Sequence, residues 1–339
     1  MRDHPALMLN QHFPATERRP VYREPFALPS IARQCAVRAL SNHDYERVMT
    51  LLGHNPIYSI HLRGMIEDYG LTHPAHRGRF FGYYEDDWLA GVALLGHALL
   101  VFTEPDSEED AFRHFAQMAA DTWTEGHFIY GPRLQVEAFW QHLFPWGYET
   151  RLVNNHHFYV CHHSPLRPAR LQLQPATLCE LEAVLRVQAE MVIEECGIDP
   201  REKDPQGFRR RVSERILRQR TWVRMENGEV IFKAELASET PEVIYLEGIW
   251  THPSQCLSEL PRHCLTELIW RLFKQRAGLS LLAEASIESE ICLLTEAGFI
   301  YREDYQARFL KSAAGSVPTG RNQNSAAQSV IATPELCIN

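Results

Sequence analysis

The sequence predicts an α/β protein made of two successive halves, each a mixed sheet flanked by helices. Three observations carry this. Strand-like runs of period two interleave with helical runs of period 3.6 from residue 36 to residue 310. The order strand, helix, helix, three strands, helix, strand, helix, strand occurs twice. A weak polar segment with two prolines, His162 to Arg170 (HHSPLRPAR), divides the two occurrences.

In the first half, Ala36–Leu40 reads as a short strand, followed by helical patterns over 43–52 and 56–69. Two strands, Phe80–Tyr84 and Trp88–Leu95, flank the turn Glu85-Asp86-Asp87. A strand over 98–103, a helix over 107–124, a strand at Phe128–Tyr130, a helix over 134–144 and strands near 147–160 complete it. In the second half, Arg170–Leu173 reads as a strand. Thr177–Glu195 is a helix, with Leu178, Leu181, Val184, Leu185 and Val187 as its apolar positions, and Phe208–Arg218 is another. Trp222–Glu226 and Glu229–Ala237 form a hairpin about Asn227-Gly228, a dipeptide that suits the positive φ of a two-residue turn. A strand over 243–250 leads to a helical pattern that starts at Cys256. A strand over 279–285, a helix over 286–297 and Gly298-Phe299 follow.

With 339 residues, 45% hydrophobic and 23% charged, the chain has room and composition for two ordinary soluble domains. Its net charge of −9 argues against a nucleic-acid partner, which calls for a basic footprint. The N-terminus has no apolar run of a signal peptide, and no run of about 18 apolar residues predicts a membrane span. The eight cysteines lack CxxC spacing and read as reduced thiols, so a cytoplasmic protein is expected. Residues 1–34 read as an extended arm, 35–161 and 171–310 as the two domains, 162–170 as their linker, and 311–339 as a disordered tail.

Several segments carry a resemblance: LLGHNPIYSIHLRGMIEDYG (51–70), EECGIDP (194–200), GFRRRVSERI (207–216), VIFKAEL (230–236) and EGIWTHP (247–253). In this order and spacing, and with the strand–helix–strand–helix run of 243–297 closing on Gly298-Phe299, the chain resembles a two-domain GNAT N-acetyltransferase. That type pairs an N-terminal domain of unknown function with a C-terminal acetyltransferase. The resemblance implies two tandem acyl-CoA N-acyltransferase folds, the first non-catalytic, and transfer of an acetyl group from acetyl-CoA to a small-molecule or protein amine acceptor.

It also implies where acetyl-CoA would lie: along the splayed strand at Ile249, Trp250 and Thr251, and at the turn and helix start, Gln255, Cys256 and Leu257. Two family features are missing. No glycine stands between Gly248 and Gly278, where the phosphate-binding loop belongs. Leu294 occupies the position four residues before Gly298, where the family carries a tyrosine acid. A degenerate member acting as a ligand- or partner-binding module is therefore the alternative expectation.

Glu247 is the candidate base, because burying a carboxylate among apolar neighbours raises its proton affinity. The competing role is a cross-strand ion pair with Lys233 or Arg224. Glu235, with Lys233 two residues before it, either lines the acceptor site or makes a solvated cross-strand pair. Tyr301 and Tyr305 either replace the missing acid or pack as strand aromatics. Arg209, Arg210, Arg211, Arg215, Arg218 and Arg220 attract an anion or form a solvated face. His156, His157, His162 and His163 around Cys161 offer zinc-type donors without a spacing that makes a site, and no metal is expected.

Overall fold

The computed structural model describes residues 34–122, 126–165, 172–255, 258–275, 279–286 and 288–311. The expected arm and tail fall outside these residues, apart from Gln34 and Lys311, as does most of the expected linker.

The first half runs β1 (Cys35–Ala39), α1 (Tyr45–Gly53), α2 (Ile60–Tyr69), β2 (Gly78–Glu85), β3 (Trp88–Gly96), β4 (Ala98–Thr103), α3 (Glu108–Asp121), β5 (Phe128–Pro132), α4 (Arg133–Leu143) and β6 (Thr150–Cys161). The second runs β7 (Gln174–Pro175), α5 (Leu181–Cys196), α6 (Pro200–Lys203), α7 (Pro205–Leu217), β8 (Thr221–Glu226), β9 (Glu229–Glu239), β10 (Val243–Thr251), α8 (Leu260–Gln275), β11 (Ser280–Ala285), α9 (Glu288–Glu296) and β12 (Ile300–Leu310). Asn227 and Gly228 both take positive φ, 51° and 83°, as a tight β8–β9 turn requires.

The twelve strands form one mixed sheet in the order β1-β2-β3-β4-β5-β12-β6-β11-β10-β9-β8-β7. The two terminal strands are exchanged. β12 lies between β5 and β6 of the first half, and β6 lies between β12 and β11 of the second. Neither half has a complete sheet of its own.

One face of the sheet carries α1, α2, α5 and α7 over a core that runs across both halves, from Val48 and Met65 to Val184 and Phe208. The other face carries two separate cores. Phe112, Phe115 and Phe139 of α3 and α4 cover the first half, and Leu265, Leu268 and Ile269 of α8 cover the second. Helix α2 belongs to the first half yet packs on β9 of the second. A Cβ on Gly64 would come 2.8 Å from the Cβ of Ser238, so the glycine permits the approach. Asp68 at the end of α2 holds the Arg220 guanidinium at 2.5 and 2.7 Å and Arg218 at 3.1 Å.

The start of α8 differs from the sequence expectation. A short 3-10 turn at Pro253–Gln255 is followed by Cys256 and Leu257, which lie outside the described residues; Ser258 and Glu259, expected in the helix, are not helical, and the α-helix begins at Leu260. Ser258 Oγ accepts the Leu260 N–H at 3.3 Å, and Pro261 sits in the first turn, where its missing N–H costs nothing.

The strand exchange gives a direct test. Produced alone, residues 34–165 or 172–311 leave the long strand β6 or β12 without its partners, and each piece should be insoluble or aggregate. Produced together, they should form a soluble one-to-one complex. Soluble, monomeric, folded halves in circular dichroism would contradict the exchange.

Candidate functional site between the splayed strands

Strands β10 and β11 pair in parallel only at Val243–Tyr245 with Ser280–Leu282. Beyond that they diverge, β10 staying with β9 and β11 with β6. A bulge between Glu247 and Trp250 frees further backbone of β10 from the ladder. Gly248 takes φ 58° there, and a Cβ would meet Lys233 Nζ at 2.9 Å, so both conformation and space call for glycine.

The divergence opens a cavity of about 650 Å³ between β10, β11 and the first-half strand β6. Its walls include Tyr130, Asn154, His156, Met191, Leu294 and residues 245–250. Four carboxylates face it, Glu194, Glu247, Glu284 and Glu290, and no Lys or Arg is among the described residues that line it. His156 is held neutral by burial, its pKa lowered to about 4.

Behind Glu247 lies a buried ion cluster. Both terminal nitrogens of Arg215 stand 3.4 Å from Glu247 Oε1, and Nη1 also bonds Glu235. Lys233 Nζ lies 3.1 Å from Glu235 Oε1 and donates to the Gly248 carbonyl at 3.3 Å. Thr221 Oγ1 donates to Glu235 at 3.4 Å. Two cations and two carboxylates balance. Burial pushes the Glu235 carboxyl up, but Lys233 and Arg215 outweigh it and hold the group below its ordinary value.

Glu247 thus reaches the cavity wall, but its neighbour is a guanidinium and not an apolar pocket. The partner is Arg215, not the Lys233 or Arg224 that strand alternation offers. Glu235 and Lys233, expected either to line the acceptor site or to form a solvated pair, are fully buried at 1% and 0% exposure, and Glu235 is not among the described residues that line the cavity. Arg209, Arg211, Arg218 and Arg220 bond Glu182, Asp204 and Asp68.

Ile249 and Trp250 line the cavity, while Thr251 pairs with Phe232 of β9. Cys256 and Leu257 lie outside the described residues. Gln255 closes its own turn: its N–H donates to the His252 carbonyl at 2.8 Å and its carbonyl accepts the Ser258 N–H at 3.0 Å. The Ser254 N–H donates to His252 Nδ1 at 3.2 Å. The amides of Ser254, Gln255 and Ser258 ahead of α8 are thus bonded within their own turn and are not free to cradle a diphosphate.

Tyr301 is exposed and donates to Asp304 at 3.0 Å, and Tyr305 stacks on Phe158 at 4.2 Å away from this cavity. The tyrosines at the cavity are Tyr130 and Tyr245, with hydroxyls 3.4 Å apart, both standing edge-on to the buried ring of His61. Only strand alternation hints at them in the sequence. The histidines around Cys161 do not converge: His162 bonds Ser280, His157 meets Tyr301, and His156 faces Glu284. Among the described residues no group of three or more His, Cys, Asp or Glu is placed to hold a metal ion, and no helix is long and apolar enough to cross a membrane.

The fold is shared with solved structures of GNAT-type proteins, one of them a tandem GNAT protein. The chain is similar to the crystal structure of a GCN5-related N-acetyltransferase from Sphaerobacter thermophilus, with TM-score 0.54 and 12% identity over 84% of this chain and 97% of that one. It is similar to a tandem GNAT protein from the clavulanic acid biosynthesis pathway, solved without AcCoA, with TM-score 0.50 and 12% identity over 84% and 100%. A Drosophila protein gives TM-score 0.57 and 13% identity over 80% and 98%. No protein-family model matches the sequence, and no curated protein does.

Two outcomes follow from the buried charges. Arg215→Ala leaves two carboxylates without their shared guanidinium and should cost about 3–5 kcal/mol in urea denaturation. Burial also lowers His61 to about 3 and His156 to about 4. The unfolded chain takes up protons near pH 6.5 that the native state refuses. Stability should therefore be full above about pH 7 and fall as pH drops from about 6.5 toward 4, by up to ~1.4 kcal/mol per pH unit for each histidine. His156→Gln should remove its share of that slope, and an unchanged slope would show that His156 is protonated in the native state.

Proposed function

We propose that the protein is an N-acyltransferase whose second-half cavity takes a small amine acceptor beside an acetyl-CoA pantetheine arm. The observation that carries this reading is the unpaired stretch of β10 and β11 opening into a carboxylate-lined cavity. Four acidic side chains, with no Lys or Arg among the described lining residues, favour a ligand that arrives as an ammonium. The ammonium first loses one proton to solvent, since only the neutral amine is a nucleophile; acetyl-CoA, when bound, supplies the thioester carbonyl that the amine attacks, the C–N bond forms, the C–S bond breaks, and the second proton lost by nitrogen ends on the departing sulfur. In this reading Glu247 receives the proton from the amine, directly or through water, and Arg215 fixes the position of its carboxylate. Tyr130 and Tyr245 supply hydroxyls at the cavity wall, and Leu294 supplies none.

A second reading, a ligand-binding module without turnover, is favoured by the inward-turned amides of Ser254, Gln255 and Ser258. One measurement separates the two. Acetyl-CoA at a hundred times its Kd should stabilise the protein by ~2.7 kcal/mol, seen as a rise in Tm. No rise at millimolar acetyl-CoA ends the transferase reading. Where a rise is found, Glu247→Gln should lower turnover by about a hundredfold or more and leave cofactor affinity intact; full retained turnover removes Glu247 from the chemistry.

A further inference from the structure

Lys233 is completely buried and is not among the described residues that line the second-half cavity. Its ammonium has an acceptor for each of its protons: Glu235 Oε1 at 3.1 Å, the Gly248 carbonyl at 3.3 Å and Met191 Sδ at 3.9 Å. Burying a lysine is costly even when it is paired. An ion pair with Glu235 needs no contact with Gly248, the glycine of the β10 bulge, yet the ammonium makes one.

That contact fixes a peptide plane. In a trans peptide the N–H points opposite to the C=O, so with the Gly248 carbonyl turned to Lys233 the N–H of Ile249 points away from it. The ladder gives the same direction. The His252 N–H donates to the Ile231 carbonyl at 2.9 Å, so His252 and Trp250 turn their backbone groups to β9, and Thr251 and Ile249 turn theirs away. On that side β11 has already left β10, its last partner being Tyr245, and Ile249 lines the cavity. The Ile249 N–H is therefore a backbone donor aimed into the opening and met by no described strand.

Resting on the transferase reading above, we infer that Lys233 is a positioning residue for the acyl group. It locks the Gly248–Ile249 peptide so that the Ile249 N–H is presented to a carbonyl oxygen in the cavity. By bonding the oxygen of that peptide it also polarises the unit and strengthens the N–H as a donor. A donor fixed before the ligand arrives needs no rearrangement when charge develops on the oxygen. The glycine belongs to the same arrangement, because a Cβ at 248 would come 2.9 Å from Nζ and push the two apart.

The test is difference infrared spectroscopy of the full chain with acetyl-CoA labelled with heavy carbon at the thioester carbonyl. Lys233→Met/Glu235→Gln removes one cation and one carboxylate, so the buried cluster stays neutral as Arg215 with Glu247. In this variant the bound carbonyl band should move to higher frequency than in the wild-type protein. The Kd for acetyl-CoA should rise by no more than about tenfold, the worth of one hydrogen bond. Glu235→Gln alone keeps the lysine and should keep the wild-type band. No binding of acetyl-CoA by the wild-type protein ends the transferase reading and this inference together. Binding with the same band position in the wild type and the double variant overturns the inference alone, and so does an equal shift in Glu235→Gln. If the double variant does not fold, hydrogen exchange at the Ile249 amide of the wild-type protein decides. Fast exchange without ligand, slowed by acetyl-CoA and not by CoA, supports the inference; protection already present without ligand, or equal slowing by CoA, overturns it.

Discussion

The pairing of β6 with β12 is the constraint on which the rest of this molecule depends. These long strands run antiparallel at the centre of the sheet, in contact from Val160–Ile300 to Thr150–Leu310. Each also closes the sheet of the other half. Because β6 borders β11 along 157–161, a first-half strand supplies one wall of the second-half cavity, including His156 and Asn154. Because β12 borders β5, a second-half residue, Tyr305, lines a smaller cleft in the first half. Each cavity is thus made from both halves.

A second constraint follows from burying charge beside the site. Arg215, Lys233, Glu235 and Glu247 leave water together, and the desolvation cost of each is offset only if all four remain paired. A planar guanidinium suits this arrangement, since it reaches Glu235 and Glu247 at once. Lys233 in turn needs the Gly248 carbonyl, and that carbonyl is available because the bulge turns β10 away from β9. The positive φ of Gly248, the bulge and the ion cluster are one device that holds a carboxylate at a cavity wall.

How far this was legible in the sequence depends on range. Local chemistry was readable: Asn227-Gly228 marks its hairpin, and the doubled element order marks the tandem fold. Glu247 stands out as a strand carboxylate beside a glycine. The partners of that carboxylate were not readable, because Arg215 lies 32 residues away on α7 and looks like one of several arginines on a solvated helix. The start of α8 differs for a local reason: Ser258 and Glu259 fit a helical period, yet the Ser258 hydroxyl takes the Leu260 N–H and Pro261 falls in the first turn, so the helix starts at Leu260. His61 sits on a helix among apolar residues and gives no sign that two tyrosines from different halves close on its ring.

The two splayed clefts show how little the backbone alone decides. Both arise where a short parallel pairing ends, and both lie beside an exchanged strand. Their side chains differ in kind. The second-half cavity gathers carboxylates and backs one of them with a buried guanidinium. The cleft of the first half, where β4 and β5 part after Ala98–Leu99 and Phe128–Ile129, is lined largely by apolar and aromatic residues such as Leu100, Phe102 and Pro132. Tyr130 borders both cavities, so two hollows of different make-up meet at one aromatic ring.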